Sequence, residues 1–303
     1  MHNHAHPASE EPGSRPSGTS LKIAIALTAV IFLAELAGGI VSGSLSLLGD
    51  AAHMLQDVVA LLLSLGAIII AARLPTPSRT FGYHRVEIGA AVANGLFLIV
   101  ISGVIVYEAV ARFSHPQPIN STMMFAVAVV GLAANLAAMH VLHGSHDLNV
   151  KSAFLHVLGD TLSSVAVIVA ALWIAFTGQT IVDPILSIAI AILILFSSLS
   201  LLREAFSILL QFSPRDVNTE EVIRDIESVD GVSGVHNVHL WSLCSNINVL
   251  DAHIWCCETD ARQLEAIKAE IKHRLEKYRI GHSTLEFECR ECGDCRRIQE
   301  LRD

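Results

Sequence analysis

Six apolar segments, at about 21–43, 49–72, 86–110, 121–143, 152–176 and 181–202, each run close to the roughly 20 residues that a helix needs to cross a bilayer. No other feature narrows the choice of fold as much. In hydrocarbon the backbone must satisfy its own hydrogen bonds, so segments of this length are expected as helices, and their short connections suit an antiparallel bundle. The mean hydropathy of +0.53 agrees, and a net charge of −9 speaks against a nucleic-acid-binding chain.

The second and fifth segments break their own apolarity in the same way. His53 and Asp57 sit in GDAAHMLQDVVALLLSLGAIIIAAR, and His156 and Asp160 sit in SAFLHVLGDTLSSVAVIVAALWIAF. In a helix, positions i and i+4 share one face, so each imidazole points the same way as its carboxylate. Two such helices face to face offer two nitrogens and two carboxylate oxygens, a tetrahedral set of the zinc type. An ionisable residue near a membrane helix centre costs roughly 2.5–3.5 kcal/mol on insertion scales. A bound dication offsets that cost for a group of four better than isolated packing contacts do.

The connections orient the bundle. Arg73, Arg79 and Arg85 lie in the second and Lys151 in the fourth, Arg15 and Lys22 precede the first helix, and Arg203 and Arg215 follow the sixth. The first, third and fifth hold only Arg112. By the positive-inside rule both termini are expected in the cytoplasm of a multi-pass cell-membrane protein. The chain divides into a disordered, histidine-containing tail (1–20), a six-helix membrane domain (21–212) and a cytoplasmic C-terminal domain (213–303). The tail's His2, His4 and His6 are either weak metal ligands or incidental to an unstructured segment.

Several polar residues in the apolar part have plainer readings. Asp50 and Asp183 fall at helix ends with structural roles, and Asp183-Pro184 reads as a helix start. Glu35 either lines a water-filled path or hydrogen-bonds across to a small-residue face at Gly38 and Gly39. The fourth connection carries His140, His143 and His146, either a metal-capturing cluster or a solvated loop.

From Thr219 the hydrophobic period changes. Glu220 to Val229 reads as an amphipathic helix, VSGVHNVHLWSL and NINVLDAHIWCC as strands around a turn at Cys244 to Asn246, ARQLEAIKAEIKHRLEKYR as a second helix, and HSTLEFEC as a last strand. The order αββαβ predicts a small ferredoxin-like α+β layer of sheet on helices. Its modest size favours association into a dimer. All six cysteines, Cys244, Cys256, Cys257, Cys289, Cys292 and Cys295, lie in this part. In a cytosolic domain they are thiols or metal ligands. Cys289, Cys292 and Cys295, read with His236, His239, His253 and His282, form a candidate regulatory site, against the plainer reading of reduced surface thiols.

These residues together give the chain a resemblance to the cation diffusion facilitators of the zinc-exporting kind. It rests on the paired His-x3-Asp motifs on the second and fifth helices, FGYHRVE (Phe81 to Glu87) before the third, and the αββαβ tail, and it covers essentially the whole length. The resemblance implies a homodimer in which His53, Asp57, His156 and Asp160 bind the transported Zn2+ midway across the membrane while protons move the opposite way. It also implies a charge interlock between Arg85 and Glu204. A second site in the connection between helices two and three has Tyr83 where some members place a histidine, with His84 adjacent. On the sheet, His236 and His253 match expected ligands, whereas Phe287 and Cys289 replace a His and an Asp.

Metal binding requires neutral imidazoles and ionised carboxylates, so loading expels protons, which couples efflux of zinc to proton entry. A closed four-ligand site leaves no position for a hydrolytic water. An intramembrane metalloprotease would carry His-Glu-x-x-His, which does not occur. The expectation is therefore a transporter and not an enzyme. The alternatives are a metal sensor without transport and a broader exporter of cadmium, cobalt or nickel.

Overall fold

A computed structural model describes residues 18–71, 76–142, 148–258 and 260–289, without the side chains of helical residues 18–24, 64, 67–68, 70–71, 141–142 and 148–156. The six expected helices are α1 (Gly18–Ser42), α2 (Leu45–Ala71), α3 (His84–Ser114), α4 (Ser121–Leu142), α5 (Leu148–Thr177) and α6 (Val182–Leu209). All six are long and apolar enough to cross a membrane. The histidine-containing tail up to residue 17 and the connection holding His143 and His146 lie outside the described residues.

Most helices outrun the apolar stretches that announce them. Helix α3 extends to Ser114, α5 starts at Leu148, and α6 continues through Arg203 and Glu204 to Leu209. Polar residues of good helix propensity prolong a helix once the apolar part has nucleated it. Helix α2 starts at Leu45, four residues before the apolar run, and its start is built by tertiary contacts. Gly43 takes a left-handed φ of 74° and ends α1. Ser44 Oγ accepts the backbone N–H of Leu47 at 3.2 Å. The fully buried Asp183, from the start of α6, accepts the backbone N–H groups of Leu45 (2.9 Å) and Ser46 (3.1 Å) and the hydroxyls of Ser44 and Ser46 (both 2.7 Å). Arg112 Nη1 lies 3.7 Å from the same carboxylate and donates to the carbonyl of Gly43. Asp183 is thus structural, as expected, and it caps another helix besides starting its own.

The chain forms two compact units. The first comprises residues up to Ile69 and Leu96–Ser198, and the second Ile70–Gly95 with the chain from Leu199 onward. The division cuts through α2, α3 and α6, whose ends group with the C-terminal α+β part.

In the first unit α5 packs along α4 and α4 along α1. Leu47, Leu98, Met124, Val167, Ala171 and Ile194 form its core. Small residues set the closest approaches: a Cβ at Gly38 would meet Val127 at 2.5 Å, and one at Gly39 would meet Leu48 at 2.8 Å. Those two glycines therefore serve α1 packing and do not receive Glu35. Large apolar side chains such as Tyr107 and Phe176 face outward, as lipid-facing residues do.

In the second unit, α7 (Thr219–Glu227) and α8 (Ala261–Leu275) pack on the sheet β1 (Gly234–Cys244), β2 (Ile247–Trp255) and β3 (Ile280–Glu288), in the order β1-β2-β3. Strands β1 and β2 are antiparallel across the expected turn, and β2 and β3 are parallel, with α8 as their crossover. Asn218 and Asp260 cap the helices through their side chains. The core holds Val222, Ile223, Ile226, Leu250, Ile254, Ile271 and Leu275.

Candidate metal sites

The i, i+4 spacing places His53 and Asp57 on one face of α2, and the structure brings Asp160 of α5 against them. His53 Nε2 lies 3.3 Å from Asp160 Oδ1. His53, Asp57 and Asp160 each offer one donor atom, all within 4.8 Å of one another. Asp160 is buried, while His53 and Asp57 are half-buried. His156, the fourth expected ligand, lies one turn before Asp160 on α5, and its side chain is outside the described residues.

Supporting contacts fix α2 against its neighbours. Ser163 of α5 donates to Asp50 Oδ1 at 2.7 Å, one turn before His53, and Ser197 of α6 donates to Gln56 Oε1 at 3.1 Å, beside Asp57. Asn135 of α4 donates to Ser164 of α5 at 3.4 Å. Such contacts hold the ligand-bearing turns in register. The sequence pattern did not single out Ser163, Gln56 or Ser197, because a serine or glutamine in a membrane helix has a contact only once its facing helix is known.

On the sheet, a bulge decides which histidines meet. His236 pairs with His253 and His239 with Asp251, so β1 carries an extra residue between the two pairs. Asn237 takes a left-handed φ of 48° there, which asparagine tolerates better than most residues. The bulge returns His239 to the face of His236, away from the core. Asn237 then bridges the imidazoles, with its Oδ1 3.1 Å from His239 Nε2 and its Nδ2 3.1 Å from His253 Nε2. On the same face His253 Nδ1 lies 2.7 Å from Glu288 Oε1 and His236 Nε2 3.3 Å from Glu288 Oε2. Glu286 lies 3.5 Å from His253 Nε2. His236, His253 and Glu288 are a metal-capable trio.

Cys289 does not join this trio. Strand alternation turns Glu286 and Glu288 to the histidine face, whereas Cys289 follows the opposite parity and ends exposed, its carbonyl 3.8 Å from Cys257 Sγ. The carboxylate beside the two histidines is thus that of Glu288, in keeping with the alternation in TLEFEC. Cys292 and Cys295 lie outside the described residues. His282 makes an edge contact with Phe81 at 5.4 Å and lies outside the trio. Burial pushes the Cys244 thiol above its ordinary pKa.

Among the described residues, the remaining expected side chains form no metal-capable group. His84 joins no metal-capable group among the described residues, and Arg79 stacks over the neighbouring Tyr83 ring at 4.2 Å. His140 is exposed at the end of α4. Arg85 and Glu204 are both exposed, and no ion pair joins them among the described residues.

Six spanning helices with carboxylate and imidazole donors gathered inside them, followed by a small α+β domain, define an integral membrane protein that handles metal cations. Residues 21–210 match the family model of the cation efflux transmembrane domain, and residues 214–288 that of the cation efflux protein cytoplasmic domain. The chain belongs to the cation efflux family, the cation diffusion facilitators, whose members are transporters and not enzymes. It is 42% identical over 294 residues to the metal cation efflux system protein CzcD of Cupriavidus metallidurans, covering 96% of this chain and 90% of that one. It is 40% identical over 301 residues to the zinc transporter ZitB of Escherichia coli, covering 97% and 95%. It is 38% identical over 259 residues to a cadmium, cobalt and zinc/H(+)-K(+) antiporter of Bacillus subtilis, covering 84% and 83%.

Proposed function

We propose that this cation efflux transporter exports zinc from the cytoplasm in exchange for protons, using His53, Asp57, His156 and Asp160 as its transport site. The observation that carries the reading is the approach of His53 and Asp57 on α2 to Asp160 on α5 inside a membrane-spanning unit. Two carboxylates balance a dication, and two imidazoles complete a zinc-type tetrahedron. Each ligand must be deprotonated to bind, so arrival of zinc expels protons and protonation releases it. The relatives named as a zinc transporter and as a zinc/H(+)-K(+) antiporter support both the ion and the exchange.

The protein works as a homodimer with both termini in the cytoplasm. Its membrane part comprises 21–212 and its cytoplasmic domain 213–303, with His236, His253 and Glu288 as a second metal site there. The charge distribution among the connections supports the orientation, and the match of residues 214–288 to a family model named for a dimer supports the pairing. A broader substrate range is the second reading, favoured by the relative named for cadmium and cobalt as well as zinc.

The test is zinc flux in proteoliposomes. A pH gradient alone should drive zinc into the acidic compartment, and Asp57→Ala or Asp160→Ala should abolish that flux in protein that still inserts. Flux indifferent to collapse of the gradient removes the coupling, and flux retained in both variants removes the site.

A further inference from the structure

Glu35 of α1 is a carboxyl that the transport site does not use. It lies seven residues, about 10 Å of helix rise, inside the Ser42 end of its span. It is 2% exposed, and among the described residues its Oε2 has no hydrogen-bond partner. The side chain occupies a place made for it: a Cβ on Gly131 of α4 would come within 2.7 Å of Oε1, so the absence of a side chain at 131 leaves the carboxyl its room. Ser164 Oγ of α5 lies 3.7 Å from that Cβ position, at the edge of the same space.

Ser164 stands one turn after Asp160 on the same face of α5, and its neighbour Ser163 donates to Asp50 of α2, so both carboxyls belong to the turns that face the seat of Glu35. The polar residue nearest in sequence to Gly131 on α4 is Asn135, which carries no charge. An ionised Glu35 would thus add a negative charge to an apolar interior already holding three carboxyls, Asp50, Asp57 and Asp160, beside the single imidazole of His53. A dication seated among His53, Asp57 and Asp160 reverses that balance, because it cancels the field that opposes ionisation.

We propose that Glu35 is a proton-binding site coupled to metal occupancy, holding a proton while the neighbouring cluster is free of metal and releasing it as the dication arrives. The O–H bond of the carboxyl breaks, the electron pair stays on the carboxylate, and the proton passes to water. Reciprocity follows from linkage: protonation of Glu35 weakens metal binding by the same factor by which metal favours loss of that proton. The inference rests on the reading of the four residues as the transport site, and it adds an exchanging proton that is not carried by a metal ligand.

The experiment uses the full-length protein with zinc as the probe. Protons released on zinc binding are counted in weakly buffered detergent solution for wild type, Glu35→Gln and Glu35→Asp. The glutamine variant keeps the size of the side chain and stands in for the protonated carboxyl, so it should bind zinc about tenfold more weakly than wild type while releasing about one proton fewer per ion. The aspartate variant should restore the release. In parallel, dicyclohexylcarbodiimide, which modifies protonated carboxyls in apolar surroundings, should label Glu35 of wild type, with zinc protecting it. This second measurement decides the matter if the glutamine variant does not fold. Equal, non-zero proton counts in wild type and Glu35→Gln overturn this inference alone, as does zinc-free wild type in which Glu35 stays unlabelled. Wild type that binds zinc without releasing protons overturns both this inference and the exchange reading.

Discussion

His53 is the residue at which ion preference is set in this reading. An imidazole supplies one nitrogen at a fixed distance, which suits zinc at roughly 2.0–2.2 Å, whereas a carboxylate binds through one oxygen or two and admits larger ions. His53→Asp should raise the cadmium-to-zinc transport ratio, measured in the same vesicles at one pH. An unchanged ratio would assign selectivity to helix packing or to the entry path. At the cysteines, burial controls reactivity: Cys244 and Cys256 are buried, Cys257 and Cys289 exposed, and the Cys244 thiol is held above its ordinary pKa by desolvation. Since the thiolate is the reactive form, Cys244 needs a more alkaline solution than an exposed thiol to react. Maleimide at neutral pH should label Cys257 and Cys289 at least about tenfold faster than Cys244. Mass spectrometry of the labelled peptides reads this directly, and equal rates would mean that the edge of the sheet opens.

Among the elements, α2 is the one whose position matters most, because it carries His53 and Asp57. Its N-terminus is held by Asp183 of α6, which accepts two of its backbone N–H groups and two serine hydroxyls beside Arg112. Asp183→Asn keeps the shape but replaces one acceptor oxygen by a donor and leaves Arg112 only the half-exposed Glu108, 3.4 Å away, as a counter-charge. A buried charge-assisted network loses about 1–3 kcal/mol on such a change. The expected outcome is a lower melting temperature and reduced zinc flux. Full flux at wild-type stability would show that the cap is dispensable. The sequence signalled a helix start at Asp183-Pro184, but not that the carboxylate would cap a helix 138 residues away. Only the packing of α6 beside α2 creates that contact.

At the scale of the whole molecule, the C-terminal domain offers His236, His253 and Glu288 on one sheet face, opposite the face that packs on α7 and α8. A metal bound there adds to the stability of the native state and not of the unfolded chain. At a hundredfold excess over Kd the gain is about 2.7 kcal/mol. The isolated domain, residues 213–303, should therefore be a dimer that melts higher with zinc. Glu288→Gln should lose most of that shift, and Cys289→Ser should keep it. A monomer without a zinc-dependent shift would count against both the pairing and the site.

The sequence by itself determined the six spanning helices, the αββαβ order of the tail and the two His-x3-Asp faces, because hydrophobic length and helical or strand periodicity are local properties of the chain. It also carried Glu288, in the alternation of TLEFEC. What it left open was every relation between elements distant in sequence. The Asn237 bulge that turns His239 and His236 to one face, the capping of α2 by Asp183, and the seat that Gly131 leaves for Glu35 each depend on which segments face one another. Gly38 and Gly39 had the composition to receive Glu35, yet they are filled by Val127 and Leu48. Side-chain volumes on the facing helices made that choice, and they act only once the chain has packed.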